Sequence, residues 1–255
     1  MPITQTFDDQ SDELIHASDL VTPLNGCPPV AIVMFDSATR DALGRISPLT
    51  NLTTLSYAAG GRTVEEFTDR GVRFAASLMP FGAPAAVIHL EELIALGMRA
   101  FVVLGSCGVL DAGIPAASLV VPTAAYRDEG TSYHYAPTAD WIDVLTSGRL
   151  QGWLADLGVD FVAGKVWTTD AIYRETRTRC AEHAADGCVA VDMECAALAA
   201  TAQFRGVDVY QFFYAADNLD ADEWDQRTLR RLADEARLEH ARLALEIAHR
   251  VAALD

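Results

Sequence analysis

The sequence predicts a single α/β domain in which a twisted, mixed central sheet is flanked by helices. Three observations predict it. Short apolar runs, most of them rich in β-branched residues, recur at 30–35, 100–104, 118–121, 161–167, 188–191 and 207–214. Helical patterns fall between several of them, at 87–96 and 195–204. Strands alternating with helices form a mainly parallel or mixed sheet covered on both faces. The chain has 255 residues, with neither a mid-chain composition break nor an internal repeat. One domain of that length buries a sizeable core.

Taken in order, residues 1–28 read as a polar N-terminal arm that runs into Cys27-Pro28-Pro29, and 29–255 as the domain. The apolar runs follow as strands, with the helices at 87–96 and 195–204 packed between them. The last segment repeats Leu229, Leu232, Ala236, Leu243, Ile247, Val251 and Leu254 at helical spacing, with Arg and Glu between. That is an amphipathic helix lying on the sheet. The acidic run at 220–225 before it reads as a solvated loop.

With 51% hydrophobic and 22% charged residues the composition is globular. A formal net charge of -17 repels nucleic acid and anionic membranes, so a phosphate-bearing ligand must meet a local cluster of donors. The five cysteines form no Cys-x-x-Cys pair, which argues against zinc and thioredoxin-like chemistry. Cys107 and Cys195, in small or apolar company, read as buried thiols. The first 13 residues are polar and acidic, unlike a signal peptide, and no apolar run reaches transmembrane length. The expectation is a reduced, cytoplasmic enzyme without metal or organic cofactor.

Four strand ends carry chemistry. Val189-Ala190-Val191-Asp192-Met193-Glu194-Cys195-Ala196-Ala197 delivers two carboxylates to a strand-to-helix junction. Ligands collect at such strand ends in α/β folds. An alternative stays open: Asp192 as an N-cap and Glu194 as a first-turn acid facing the helix dipole. Gly105-Ser106-Cys107-Gly108 brackets a hydroxyl with two glycines, a strand-to-loop turn whose backbone N–H groups approach an anion closely. Trp167-Thr168-Thr169-Asp170 ends a third strand. Ala216-Asp217-Asn218 follows the very apolar run 209–214. Near-burial there raises the Asp217 pKa toward that of a working acid, and an Asx-turn is the competing reading.

In order and spacing these segments resemble the nucleoside phosphorylase family, which includes bacterial purine nucleoside phosphorylase, uridine phosphorylase and related nucleosidases. The resemblance runs from His16 to the last helix. Residues 191–197 resemble the family's Glu-Met-Glu signature, 105–108 its Gly-Ser-Cys-Gly loop, and 127–135 a loop of its uridine branch. Residues 167–173 resemble its base-pocket strand end, and Ala216-Asp217 its Ser-Asp pair. The resemblance implies that Glu194 takes the ribose 2′- and 3′-hydroxyls and stabilises the cationic sugar. It implies that Met193 packs on the ribose, Asp217 protonates the base, Thr169, Ile172 and Tyr173 lie at the base, and Ser106 and Gly105 hold phosphate. His16 resembles a histidine that crosses to a neighbouring subunit to reach the ribose 5′-hydroxyl. The implied reaction is reversible phosphorolysis of a purine or pyrimidine nucleoside to free base and ribose 1-phosphate. That reaction belongs to nucleoside salvage, and because the family forms dimers that assemble into hexamers, the resemblance implies a homo-oligomer built on dimers. The implied partners are nucleoside and phosphate.

The chain departs from the pattern on the phosphate side. The family's first phosphate loop reads Gly-Asp-Pro-x-Arg, where this chain has Phe35-Asp36-Ser37-Ala38-Thr39-Arg40. The family's arginine two residues before the Gly-Ser-Cys-Gly loop is Val103. Arg40 and Arg62 are the cations left to meet an anion. Thr176 and Thr178 stand where the uridine branch reads uracil with Gln and Arg. Phosphate is the first choice of nucleophile. Water, making the chain a nucleoside hydrolase, and a non-catalytic nucleoside-binding relative are the alternatives.

Overall fold

The computed structural model describes residues 2–5, 7–57, 60–229 and 232–254. The outer limits of the expected arm and domain, Met1 and Asp255, lie outside the described residues. In chain order the elements are α1 (Ala17–Leu20), β1 (Val30–Met34), α2 (Ser37–Ile46), β2 (Thr50–Tyr57), β3 (Gly60–Asp69), β4 (Val72–Leu78), α3 (Ala83–Leu96) and β5 (Ala100–Val109). Then come β6 (Leu119–Asp128), β7 (Trp141–Asp143), α4 (Ser147–Asp156), β8 (Phe161–Thr169), α5 (Arg177–Ala185), β9 (Cys188–Asp192), α6 (Cys195–Arg205), β10 (Asp208–Asn218) and α7 (Asp234–Ala252).

The sheet is mixed, as expected. β1 pairs in parallel with β4 and β5, and β5 in parallel with β10. Antiparallel pairs join β10 to β6 and β5 to β9, while β6–β8 and β8–β9 are parallel. Strands β10, β6, β8, β9 and β5 therefore follow one another by hydrogen bonds and return to β10. The short β7 adds antiparallel to β6 outside this ring. From β1 the sheet continues through β4, β3 and β2 as an open extension.

Alternate residues of the central strands point to opposite faces, and both faces are covered. Ile32, Met34, Val102, Leu104 and Phe212 pack with Leu43 of α2 and Ala244, Ile247 and Ala248 of α7. Ala31, Val33, Phe101, Val103 and Val209 pack with Leu90 and Leu93 of α3 and Leu198 of α6. That double cover is why these strands read as unbroken apolar runs.

The structure corrects the sequence reading in three places. Gly105-Ser106-Cys107-Gly108 is strand and not a turn: β5 runs through it to Val109, paired with β10. Ala216-Asp217-Asn218 likewise belongs to β10. The last helix starts at Asp234, so Leu229 and Leu232 precede it and pack as loop residues. The meander β2–β3–β4 was not anticipated, because β2 and β3 alternate Thr, Glu and Arg with few apolar residues and are largely exposed. Its one clear signal is Arg70-Gly71, the two-residue turn between β3 and β4, with φ +47° and +81°. Positive φ at both positions is the hairpin geometry that matches strand twist.

Gly71→Ala forces a Cβ onto that left-handed position. We expect a loss of about 1 kcal/mol in urea unfolding with an unchanged denaturant slope. A variant as stable as the wild type would mean that the turn relaxes without penalty.

Candidate active site

Strand register brings the chemistry together. Asp217 of β10 pairs with Gly108 of β5, Gly108 with Val191 of β9, and Val191 with Trp167 of β8. One residue further on, Asp192 pairs with Thr168. A bulge at Ala216 makes the first of these pairs, since Ala215 still faces Cys107 while Asp217 faces Gly108. Bulges re-aim a side chain at a sheet rim. Gly108 leaves room beneath it: a Cβ there would meet the end of the Leu219 side chain, which would have to move, and would lie 3.2 Å from Asp217 Oδ1 and from Val191.

Asp192 ties the junction. Its Oδ2 accepts the N–H groups of Glu194 (2.8 Å) and Cys195 (2.6 Å), two backbone donors at the start of α6, whose N-cap residue is Glu194. Its Oδ1 accepts the Thr168 hydroxyl at 2.7 Å, and Thr168 Oγ1 accepts the Ala196 N–H at 3.0 Å. Burial pushes the Asp192 carboxyl up to about 6 in spite of these donors. Met193, between the two acids, is half-buried.

Glu194 is not a solvated first-turn acid. It is 6% exposed, and its Oε1 accepts the N–H of Gly82 at 2.6 Å. Gly82 caps α3 with φ +89°, so Glu194 lies at that helix's positive end as well as at the start of its own. Burial, and then the Asp192 charge, push its carboxyl up to about 8.

Asp217 accepts the indole N–H of Trp224 at 2.7 Å. Burial raises its pKa, opposed by that donor and by Arg227. The expected solvated loop at 220–225 is thus exposed but turned back on the site: Asn218 and Asp225 form a bridge, and Arg227 donates to the Ile114 carbonyl at 2.6 Å. Cys107, a buried thiol as expected, is pushed far up by burial and by the Asp192 and Asp217 carboxylates.

The side where phosphate was expected is apolar around Phe35, Phe81 and Val103. The Phe35 ring lies 3.2 Å from where a Gly105 Cβ would stand, and it stacks on Phe81, which is 71% exposed, with centroids 6.0 Å apart. Val103 is fully buried in the sheet. Arg40 places Nε 2.8 Å from one oxygen of the buried Glu65 and an Nη against the other, and it also donates to Asp41. Arg62 donates to the Leu78 carbonyl at 3.1 Å and lies over the Tyr57 ring. Ser106 is half-buried, paired with Tyr214. Asp36, at the start of the expected phosphate loop, caps α2 through Thr39 and binds Arg237.

The other expected residues are dispersed. His16 begins the short α1 on the exposed arm, 3.6 Å from Glu13, which itself pairs with Arg205. Thr169 is buried and its hydroxyl accepts the Ala171 N–H at 3.3 Å. Ile172 and Tyr173 stand out from the surface, Tyr173 at 97% exposure. Glu175, which ends that turn, is half-buried, and its carboxyl is raised to about 8 by burial, then by Asp217 and Asp192. Sequence reading passed over Glu175 and Trp224. An acid in Tyr-Arg-Glu-Thr and an indole inside an acidic run were the available signals.

Comparison with known proteins shows the family and the fold. The phosphorylase superfamily model matches residues 29–252. A guanosine phosphorylase of Halorubrum lacusprofundi is 32% identical over 130 residues, 49% of this chain and 53% of that protein. The chain thus spans about half the length of that curated relative. A DeoD-type purine nucleoside phosphorylase of Caldanaerobacter subterraneus is 27% identical over 186 residues, 70% of this chain and 78% of that one. The fold matches the crystal structure of uridine phosphorylase from Vibrio fischeri with a TM-score of 0.72 at 22% identity, covering 95% of this chain and 97% of that one.

The two junction acids set a pH signature. Their native pKa values, about 6 and about 8, lie above the ordinary 3.8 and 4.5. The native state therefore holds protons that the unfolded chain has released. The stability these groups contribute is complete at low pH and is lost as pH rises through the native values. Glu194→Gln cannot ionise, so its melting temperature should gain on the wild type as pH rises from about 5 to about 9. Parallel curves for the two proteins would contradict this.

Proposed function

Because the chain belongs to the phosphorylase superfamily, we propose that it breaks the N-glycosidic bond of a nucleoside. The observation that carries this reading is the buried Glu194, held at two helix N-termini beside a strand register that brings in Asp217. Cleavage of the C1′–N bond leaves positive charge on the sugar and negative charge on the base. Glu194 suits the first. A ribose diol would supply two O–H donors to its oxygens and so draw the carboxyl toward its ionised form. The resulting carboxylate stabilises the oxocarbenium-like sugar. Asp217, with a raised pKa, suits the second, as the acid that meets a purine ring nitrogen as the bond breaks.

The acceptor proposed first is phosphate, on the strength of the phosphorylase relatives. Ser106 and the strand N–H groups near Gly105 are its donors, with Arg40 and Arg62 in reserve. A second reading, hydrolysis by water, is favoured by one observation: the Phe35 ring against Gly105, where an anion would need donors. Arg40, engaged by Glu65, points the same way.

Base release from a nucleoside panel across a phosphate titration decides between the two. A rate that rises from zero with ribose 1-phosphate as product supports phosphorolysis. We then expect a phosphate KM above the roughly 1 mM upper end of ordinary enzymes, because donors are few. A flat rate that yields free ribose supports hydrolysis. With either acceptor, Glu194→Gln should lower kcat by about 10²–10³. Asp217→Asn should lower turnover of purine nucleosides by about 10²–10⁴ while sparing pyrimidine nucleosides. Near-normal turnover in both folded variants would refute the assignment of the two acids.

A further inference from the structure

A circuit of contacts brings one more arginine to Ser106. Asp36 Oδ1 accepts an N–H from Arg237 Nη1 at 2.8 Å. Arg237 and His240 stand three residues apart on α7, on one face of the helix. The His240 ring stacks on Tyr214, with centroids 5.2 Å apart and planes 20° apart. Tyr214 pairs in parallel register with Ser106, so the two side chains leave one face of the sheet side by side. The circuit closes through Phe35, which precedes Asp36 and whose ring lies against Gly105, the neighbour of Ser106. Sequence reading named Arg40 and Arg62 as the cations for an anion and passed over Arg237. The three differ in what they have left to donate. Arg40 is engaged through Nε and both Nη atoms with Glu65 and Asp41. Arg62 lies over Tyr57, which packs with the core on the other face of the sheet from Tyr214. Arg237 donates from Nη1 alone, and its Nε and Nη2 have no acceptor among the described residues.

We propose that Arg237 binds the acceptor anion, presenting its Nε–Nη2 edge to phosphate beside Ser106 while Nη1 stays on Asp36. The proposal rests on the reading of the chain as a nucleoside-cleaving enzyme that takes phosphate. A guanidinium is a planar fork, and one edge of it meets two oxygens of a phosphate at once. Asp36 is the positioning residue. Its Oδ1 also accepts the Thr39 N–H at 2.8 Å and its Oδ2 the Thr39 hydroxyl at 2.7 Å, so the carboxylate that holds Arg237 is itself fixed to α2. The pairing serves the anion in a second way. A bare carboxylate there would repel phosphate, and the guanidinium charge offsets it. The side chain of Arg237 is 17% exposed, sheltered enough to strengthen the contact and open enough to be reached. The guanidinium that Val103 removes from β5 is thus supplied from α7.

The test compares wild type, Arg237→Gln, Arg237→Lys and Arg45→Gln. Arg45, exposed and paired with Asp234, controls for the loss of one surface cation. Base release from the best-cleaved nucleoside is titrated with phosphate. Arg237→Gln should raise the phosphate KM about 10- to 100-fold, the loss of a charged hydrogen-bonded contact, and leave the nucleoside KM near that of the wild type. Arg237→Lys keeps the charge without the fork and should fall between. Arg45→Gln should match the wild type. Inorganic phosphate without nucleoside should raise the melting temperature of the wild type, and Arg237→Gln should need correspondingly more of it for the same shift. A folded Arg237→Gln with the wild-type phosphate KM and melting shift overturns the proposal. So does a nucleoside KM that rises as far as the phosphate KM. If Arg237→Gln fails to fold, judged by its melt without phosphate, Arg237→Lys decides by the same two readouts. A wild-type rate that is flat in phosphate refutes phosphorolysis, and the melting shift then judges Arg237 alone. A shift that Arg237→Gln loses upholds the anion site, and a wild type without any shift refutes it.

Discussion

The arrangement depends on the parallel pairing of β5 with β10. The two strands pair from Asp208 against Ala100 to Asn218 against Val109, interrupted by a single bulge at Ala216. Because β5 also pairs with β1 on its other side and with β9 at its far end, it belongs at once to the open sheet and to the closed ring. The ring forces strand ends together that lie far apart in sequence. Asp217, Gly108, Val191 and Trp167 are adjacent because hydrogen bonds align them, and no loop has to be held in place to achieve it. The Ala216 bulge then shifts the register by one residue, setting a carboxyl opposite Gly108 where an alanine would otherwise stand.

Within that frame the chemistry comes from withholding water. Asp192, Glu194, Glu175 and Asp217 all have raised pKa values, and burial is the leading cause of each. Asp192, with three donors, reaches about 6. Glu194, with the Asp192 charge outweighing its Gly82 donor, and Glu175, with the charges of Asp217 and Asp192 and no donor among the described residues, each reach about 8. Environments that separate the pKa values of neighbouring acids are how one acid comes to hold charge and another a proton.

Much of this was legible in the sequence. The doubly covered strands announced themselves as apolar runs, and Asp192-Met193-Glu194 and Asp217 stood out as acids at the ends of such runs. What stayed hidden depends on neighbours. The β2–β4 meander shows little periodicity because its outer strands face solvent. Gly105 and Gly108 read as turn formers, yet they are strand residues kept small by Phe35 on one and Leu219 on the other. Arg40 looked available to an anion until Glu65, 25 residues away, came to meet it. Glu175 could not be told from a surface acid, since its partial burial and the charges of Asp217 and Asp192 that act on it come from the fold.

The Gly82 amide that holds Glu194 belongs to the backbone, as do the amides that hold Asp192. In a chain with a net charge of -17, the central acids are thus organised by peptide dipoles more than by side-chain cations. Dissolved ions screen exposed charges over about 10 Å at 0.1 M but reach buried dipoles poorly. The ion pairs on the surface, such as Arg45 with Asp234 at half exposure or more, weaken in concentrated salt. The carboxyls at the heart of the molecule keep their partners there, so brine loosens the shell of this protein before it disturbs its centre.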